Sequence, residues 1–420
     1  MTSPAINLPP EQDDNRHPLQ IPDFRAFWLT RMCGVLGTSA QSAAIAWQVY
    51  GLARQTTDIR QSALFVGLMG LSQFLTLFAF TLPAGIVADR FDRKLIVTVV
   101  MVGQFLLSLA FLGYSFIDNP PIWGLFALGA ILGAFRAFSA PASSAIAPML
   151  VPKSILPKAI AVNSTAFQTG LIVGPALGGF LVGYSPRFAY AFCAVLTLIA
   201  AVFVFTIRTP TSPDAPSVSK TQMVREGAAY IWSNKVVLGA ISLDLFAVLL
   251  GGATALMPIF IKDILQAGPQ MFGLLRASPG IGALLMSLYL SAKPIRRHAG
   301  PWMYSGVAVF GVMTIVFGVS KLVWLSIAAM IVLGAADMIS VYVRGTLVQI
   351  VTPDAMRGRV GSVSYLFIGA SNELGEFESG VAARILGPIG AALFGGIGSL
   401  IVTGAWIRLF PALFKADKLE

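Results

Sequence analysis

The sequence is poor in charge. Only 11% of its 420 residues are Asp, Glu, Lys or Arg, while 56% are hydrophobic. Soluble domains carry about 25% charged residues, so an ordinary globular surface is excluded. Cysteine and histidine are scarcer still, at two each. Cys33 and Cys193 fall in apolar stretches, His17 and His298 in polar flanks. That placement excludes a disulfide framework and a Cys/His metal site, and no cofactor is expected. No G-x-x-x-x-G-K-[ST] occurs, so the chain has no phosphate-cradling ATPase loop. No nucleophile–base pair stands out, so an enzyme is not expected. Met1 to Gln20 lack the short apolar core of a secretory signal. Residues 1–22 read as a disordered cytosolic tail. The net charge of +10 comes from basic residues scattered beside apolar stretches, not gathered in one patch. It therefore points to membrane topology and not to a nucleic-acid partner.

What is abundant is apolar sequence in long runs. Twelve candidate spans have approximate limits 27–51, 62–88, 95–117, 122–150, 157–183, 188–207, 236–261, 271–292, 301–319, 323–350, 360–385 and 388–412. Each is long enough to cross a hydrocarbon layer of about 30 Å as a tilted helix. With the N-terminus in the cytosol, nineteen of the 29 Lys and Arg residues fall in cytosolic segments and six in outer ones. Arg31, Arg136, Arg276 and Arg344 lie within or at the edges of spans. The asymmetry supports an even number of spans with both termini cytoplasmic.

The longest polar break, 209–234, opens with a Pro/Ser-rich loop from Thr209 to Ser219. A short amphipathic helical pattern follows, expected to lie on the inner membrane surface. The break separates 23–208 from 235–413, each with six spans, and leaves a cytosolic tail at 414–420. The two halves look like copies. Leu132-Gly133-Ala134 recurs as Leu333-Gly334-Ala335, and at the same offset of 201 Pro152 matches Pro353, and Gly174 and Gly179 match Gly375 and Gly380. Parallel six-span repeats place a binding site between the halves near mid-membrane.

The loop after the second span reads Gly85-Ile86-Val87-Ala88-Asp89-Arg90-Phe91-Asp92-Arg93-Lys94. It resembles the major facilitator signature G-x-x-x-D-R-x-G-R-[RK], with Asp92 where the pattern has Gly. The resemblance implies that Gly85, Asp89, Arg90, Arg93 and Lys94 form a conformational latch between the halves. Lys293 to Gly300 reads as a degenerate copy. In span five, Gly170, Gly174, Pro175, Gly178 and Gly179 resemble the antiporter motif of the same superfamily, which implies export. Small residues at this spacing also serve close helix packing. Ala46-Trp47-Gln48-Val49-Tyr50 and Ser371 to Gly380 resemble the branch that holds the enterobactin exporter and the macrolide efflux proteins. The resemblance thus implies an all-α membrane protein of twelve transmembrane helices in two pseudo-symmetric six-helix bundles. It also implies a multi-pass protein of the bacterial inner membrane, acting as a monomer.

Ionisable groups inside a membrane cost several kcal/mol and usually face a cavity or a partner. The first half carries only cations in its spans, Arg31 and Arg136, while the second carries Asp244, Asp337, Glu373, Glu376 and Glu378 with Arg344. The repeat sets Arg136 opposite Asp337, either as cavity groups whose contact changes with state, or with Asp337 held permanently by Arg344. Glu373 and Glu376 share a helix face, where neighbouring carboxylates oppose each other's ionisation. Glu373 is the leading expected proton carrier, followed by Asp337, Asp244 and Glu376. Glu376 and Glu378 could instead be structural. Gln41, Trp47, Gln48, Asn163, Gln168 and Asn372 complete the candidate substrate cavity with Arg31, Arg136 and Arg344. Amides and rings suit an amphipathic ligand, and the arginines suit an anionic or catecholate-like one. The expected function is export of a siderophore or amphipathic drug by proton antiport. Import or facilitated diffusion of a metabolite is the alternative, and a membrane receptor a remote one.

Overall fold

The computed structural model describes residues 17–212 and 220–417, and every regular element among them is helical. Before the linker lie α1 (Pro22–Thr56), α2 (Ile59–Arg90), α3 (Arg93–Tyr114), α4 (Ile122–Ile146), α5 (Leu156–Tyr184) and α6 (Pro186–Thr206). The linker helix is α7 (Lys220–Ser233). After it come α8 (Lys235–Leu250), α9 (Ala253–Ile259), α10 (Pro269–Ala292), α11 (Ala299–Val319), α12 (Val323–Val351), α13 (Asp354–Leu409) and α14 (Pro411–Phe414). Apolar runs of this length form helices because lipid offers backbone groups no partner outside the segment. Side chains mark the starts: Asp58 caps α2, Asp92 caps α3, Ser185 caps α6 and Asn234 caps α8.

Among the described residues, ten helical runs are long and apolar enough to cross a membrane. The difference from twelve has two physical sources. One is α1, whose 35 residues have the length but are diluted by polar groups. Those groups turn toward neighbouring helices: Thr30 donates to the Ala200 carbonyl, Gln41 accepts from Ser108, and Gln48 accepts from Tyr190. The other is Phe367–Leu409, a single run of 43 residues. Its backbone leaves the helix at Gly387 (φ 78°, ψ 164°), a conformation open to glycine, and Pro388 follows. The stretches 360–385 and 388–412 fall on either side of that break. The span expected at 236–261 is also not continuous. It stops at Leu250, passes through Gly251 and Gly252, resumes as α9 and ends in a wider turn at Phe260–Ile264. A Cβ on Gly252 would stand 2.5 Å from the Gly375 carbonyl oxygen, so the backbone of α13 presses on the break.

The helices before the linker pack chiefly on one another, as do those after it. Two seams join the sets, α2 against α13 and α5 against α10. The repeated glycines lie at corresponding crossings. Gly133 of α4 abuts the Gln73 carbonyl of α2, and Gly334 of α12 abuts the Pro279 carbonyl of α10. Gly174 of α5 faces Leu36 and Ser39 of α1, and Gly375 of α13 faces Val248 and Leu249 of α8. A Cβ on Gly179 would lie 2.7 Å from Gly273 in the α5–α10 seam, and one on Gly380 would lie 2.6 Å from Gly67 in the α2–α13 seam. Glycine permits these approaches because backbone meets backbone with no side chain between. These two backbone-to-backbone approaches lie toward the Ile59 end of α2 and the Tyr184 end of α5, the tight end of the seams.

Candidate functional site

The α2–α13 seam brings buried charge together. Glu373 is 7% exposed, and its Oε1 lies 2.5 Å from Arg136 Nη1 of α4. One turn on, Glu376 Oε1 lies 3.9 Å from Arg276 Nη2 of α10. Arg276 Nη1 also donates to the Thr254 carbonyl at 2.9 Å, just past the α8–α9 break. Glu378 points away from this face and accepts from Ser379 Oγ at 3.4 Å.

A second charged group sits between α8 and α12. Asp244 and Arg344, 4% and 7% exposed, form an ion pair, and Ser340 Oγ donates to Asp244 Oδ1 at 3.3 Å. Arg136 therefore meets Glu373 and not Asp337, and Arg344 meets Asp244 and not Asp337. The offset of the repeat aligns positions within equivalent helices. It does not fix which helix lies opposite, and α13, packed on α2 beside α4, reaches Arg136 first. Asp337 remains within electrostatic reach of Asp244 and Arg344. Among the described residues it makes no hydrogen bond or ion pair. It lines a cavity of about 280 Å³ together with Leu171 and Ile172 of α5, Gly251 and Gly252 of the break, Thr254, Phe310 and Asn372.

The other expected cavity residues scatter. Gln41 is fully buried, and its Oε1 accepts from Ser108 Oγ of α3 at 3.0 Å. Gln48 Oε1 accepts from the Tyr190 hydroxyl of α6 at 2.5 Å. Both amides join helices within the first set, each oxygen accepting from a buried hydroxyl. The Arg31 guanidinium lies 5.1 Å from the centre of the Phe167 ring. Asn163 is half-buried and Gln168 exposed, while Asn372, also exposed, lines the cavity with Asp337.

Three residues of the basic loop, Asp92, Arg93 and Lys94, contact their own half and the start of the linker. Lys94 Nζ donates to the Phe205 and Ile207 carbonyls at the end of α6, and Arg93 lies against Met149. Asp92 accepts from the Leu95 amide at 3.1 Å, from Thr211 Oγ1 at 2.8 Å and from Ser212 Oγ at 3.3 Å. Burial alone would raise its pKa, but these hydrogen bonds outweigh burial and hold the carboxyl below its ordinary value. Arg90 is exposed and Gly85 half-buried. The side chain of Asp89 lies outside the described residues. In α5, Gly170, Gly174 and Gly178 press on α1, Gly179 presses on α10, and Pro175 stands within the helix.

One cluster was not read from the sequence. At the tight end of the seams, Asp263 accepts from the Tyr50 hydroxyl, and its Oδ1 lies 3.1 Å from Arg54 Nη2. Lys262 Nζ sits 4.2 Å from the Trp47 ring centre, and Trp47 packs on Phe272 at 4.7 Å. Arg384 Nη1 lies 3.9 Å from Asp58 Oδ1. Each contact joins a helix before the linker to an element after it. The signal was present, because Trp47 and Tyr50 belong to the Ala46–Tyr50 stretch and Asp263 is a lone acid at a span end.

Residues 15–419 match the family model described as transmembrane secretion effector. The chain belongs to that family. The enterobactin exporter EntS of Escherichia coli is 22% identical over 387 residues, covering 91% of this chain and 90% of that protein. EntS of Escherichia fergusonii stands at the same 22%, 91% and 90%. Among solved structures, a D-xylose-proton symporter superposes with a TM-score of 0.70 at 15% identity, covering 94% of this chain and 97% of that one. A POT family transporter in complex with 5-aminolevulinic acid gives 0.71 at 12% identity, covering 95% and 100%. These likenesses show the fold. This secretion-effector chain is a multi-pass membrane transporter of the major facilitator type.

Proposed function

We propose that the protein exports a small organic molecule across the bacterial inner membrane by proton antiport. Alternating access would be carried by two six-helix bundles, 23–208 and 235–413, joined by the linker 209–234. Both termini would lie in the cytosol, and a single chain would suffice. The ion pair between Arg136 and Glu373 carries the reading. It joins helices from before and after the linker, and the Arg136 side chain is 39% exposed while that of Glu373 is 9% exposed. A proton on Glu373 removes the charge that holds Arg136, so occupancy of one carboxyl biases the contact between the bundles. Kinship with exporters and the glycine-rich α5 favour outward movement. In this reading the Asp263 cluster closes the outer end, and Ser164, Thr165 and Gln168, exposed on α5, line an entry from the cytosolic side. Gly85, Asp89, Arg90, Arg93 and Lys94 then act as the latch that engages when that side closes.

The test uses the full chain in liposomes with an imposed pH gradient. Candidate siderophores and lipophilic drugs are first screened by cellular accumulation with and without an uncoupler. The expected result is gradient-driven export by wild type and loss of that coupling in Glu373→Gln, with substrate binding retained. Unchanged gradient-driven export by a well-folded Glu373→Gln protein would remove Glu373 as the proton carrier.

A further inference from the structure

We infer that the cavity beside the α8–α9 break binds an amphipathic organic cation, with Asp337 as the counter-charge. The inference rests on the transporter reading above and narrows its substrate class. The argument is a census of charge. Arg136 is engaged by Glu373, Arg276 by the Thr254 carbonyl and Glu376, and Arg344 by Asp244. Arg136, Arg276 and Arg344, which an anion would need, thus have carboxylate partners, and Arg31 lies against the Phe167 ring. Asp337 lines the cavity and, among the described residues, has no hydrogen bond and no cation within ion-pairing distance. Arg344, the cation within its electrostatic reach, is taken by Asp244.

The rest of the wall fits the same ligand. Leu171, Ile172, Phe310 and Met330 supply apolar and aromatic surface, which suits the body of a lipophilic molecule and the face of a cation. Helix α8 ends at Leu250, and Gly251 and Gly252 line the cavity. A carboxylate in apolar surroundings requires a partner, and a substrate ammonium or phosphonium supplies one. A proton supplies the other. The charged groups within electrostatic reach of Asp337 are Asp244 of α8 and Arg344 of α12; Arg276 stands on α10, which packs on α12, and Glu373 and Glu376 follow the cavity residue Asn372 along α13. All five are engaged with one another, with Arg136 or with backbone, so proton and organic cation compete for one carboxyl. That competition is what exchange of a cation for a proton requires.

The experiment measures binding to the full-length protein in lipid nanodiscs. The probes are tetraphenylphosphonium, whose charge is permanent, triphenylphosphine oxide, which is neutral and similar in shape, and 2,3-dihydroxybenzoate as the anion. Wild type is expected to bind tetraphenylphosphonium in preference to the other two. Asp337→Asn is expected to weaken that binding at least tenfold while leaving triphenylphosphine oxide unchanged. Asp337→Glu, which keeps the charge, is expected to retain most of it and guards against a folding defect in the Asn variant. The inference is overturned if Asp337→Asn binds tetraphenylphosphonium within twofold of wild type. Preference of wild type for dihydroxybenzoate, or no binding of the phosphonium, overturns it as well. Asp337-dependent binding without export under a pH gradient would uphold the cation site and reject proton antiport. Gradient-driven export of an anion would do the reverse.

Discussion

Arg136 and Glu373 meet at 2.5 Å although one stands on α4 and the other on α13. Removing either partner leaves a different remainder. Arg136→Ala strands a carboxylate that is 7% exposed, and an unsatisfied buried acceptor costs about 1–3 kcal/mol. Glu373→Gln keeps the shape and removes the charge. Coupling between the two positions should therefore show in a double-mutant cycle. Arg136→Ala is expected to lower the thermal midpoint in detergent, and adding Glu373→Gln to restore part of the loss. Strictly additive midpoints would mean that the pair carries no energy of its own.

The frame of this molecule is plain in its sequence because lipid leaves few options. Long apolar runs must be helices, and paired glycines at a fixed offset mark where helices touch. Gly133 and Gly334, Gly174 and Gly375, and Gly179 and Gly380 each occupy corresponding crossings, so the repeat encoded packing as well as ancestry. Charge pairing was harder to read. Position along a helix says nothing about its rotation or its neighbour, so the repeat offset points Arg136 at Asp337 although Glu373 is its partner. Gln41 and Gln48 misled for a similar reason, since a polar residue in a span can face another helix as readily as a water-filled path. The break at Gly251–Gly252 was hidden because neither glycine interrupts the apolar run.

The cluster at the tight end of the seams acts as a gate in the proposed cycle. Asp263 receives both Tyr50 and Arg54. Losing both contacts, at about 1 kcal/mol each, shifts a two-state balance by roughly tenfold or more. Spin labels at exposed Gln55 and Gln266 flank this end, with Cys33 and Cys193 replaced. Wild type should give a short, narrow distance distribution, and Tyr50→Phe with Asp263→Asn should add a longer component. An identical distribution in the double variant would show that the cluster does not hold the end shut.

Asp92 stands where the family pattern has Gly, and it ties the start of α3 to Thr211 and Ser212 at the head of the linker. Its folded carboxyl is held below the ordinary value of 3.8. The ionised form is thus the one the fold binds, and its contribution is complete above the unfolded value. It is lost as pH falls through the lowered one. Asp92→Asn should unfold at a lower temperature than wild type at pH 7, and the difference should shrink as pH drops below about 4. A gap that persists undiminished at pH 3 would assign the effect to shape and not to charge.

The Asp244–Arg344 pair is the most deeply enclosed of the charge pairs described here, with both residues under one-tenth exposed. Such a pair is a weak source of stability while intact and a large liability when halved. Arg344→Met leaves Asp244 with only the Ser340 hydroxyl at 3.3 Å, and the expected loss is about 3–5 kcal/mol. Asp244→Leu leaves a guanidinium in the same position and should cost a similar amount. Combining them removes both charges and fills the space with apolar side chains, so the double variant should recover most of the loss in thermal unfolding. Transport separates structure from mechanism in these proteins. If Asp244 relays protons, the stable double variant is inactive under a pH gradient; if the pair only braces α8 against α12, the double variant exports as wild type does. Single variants as stable as wild type would contradict the enclosed pair itself.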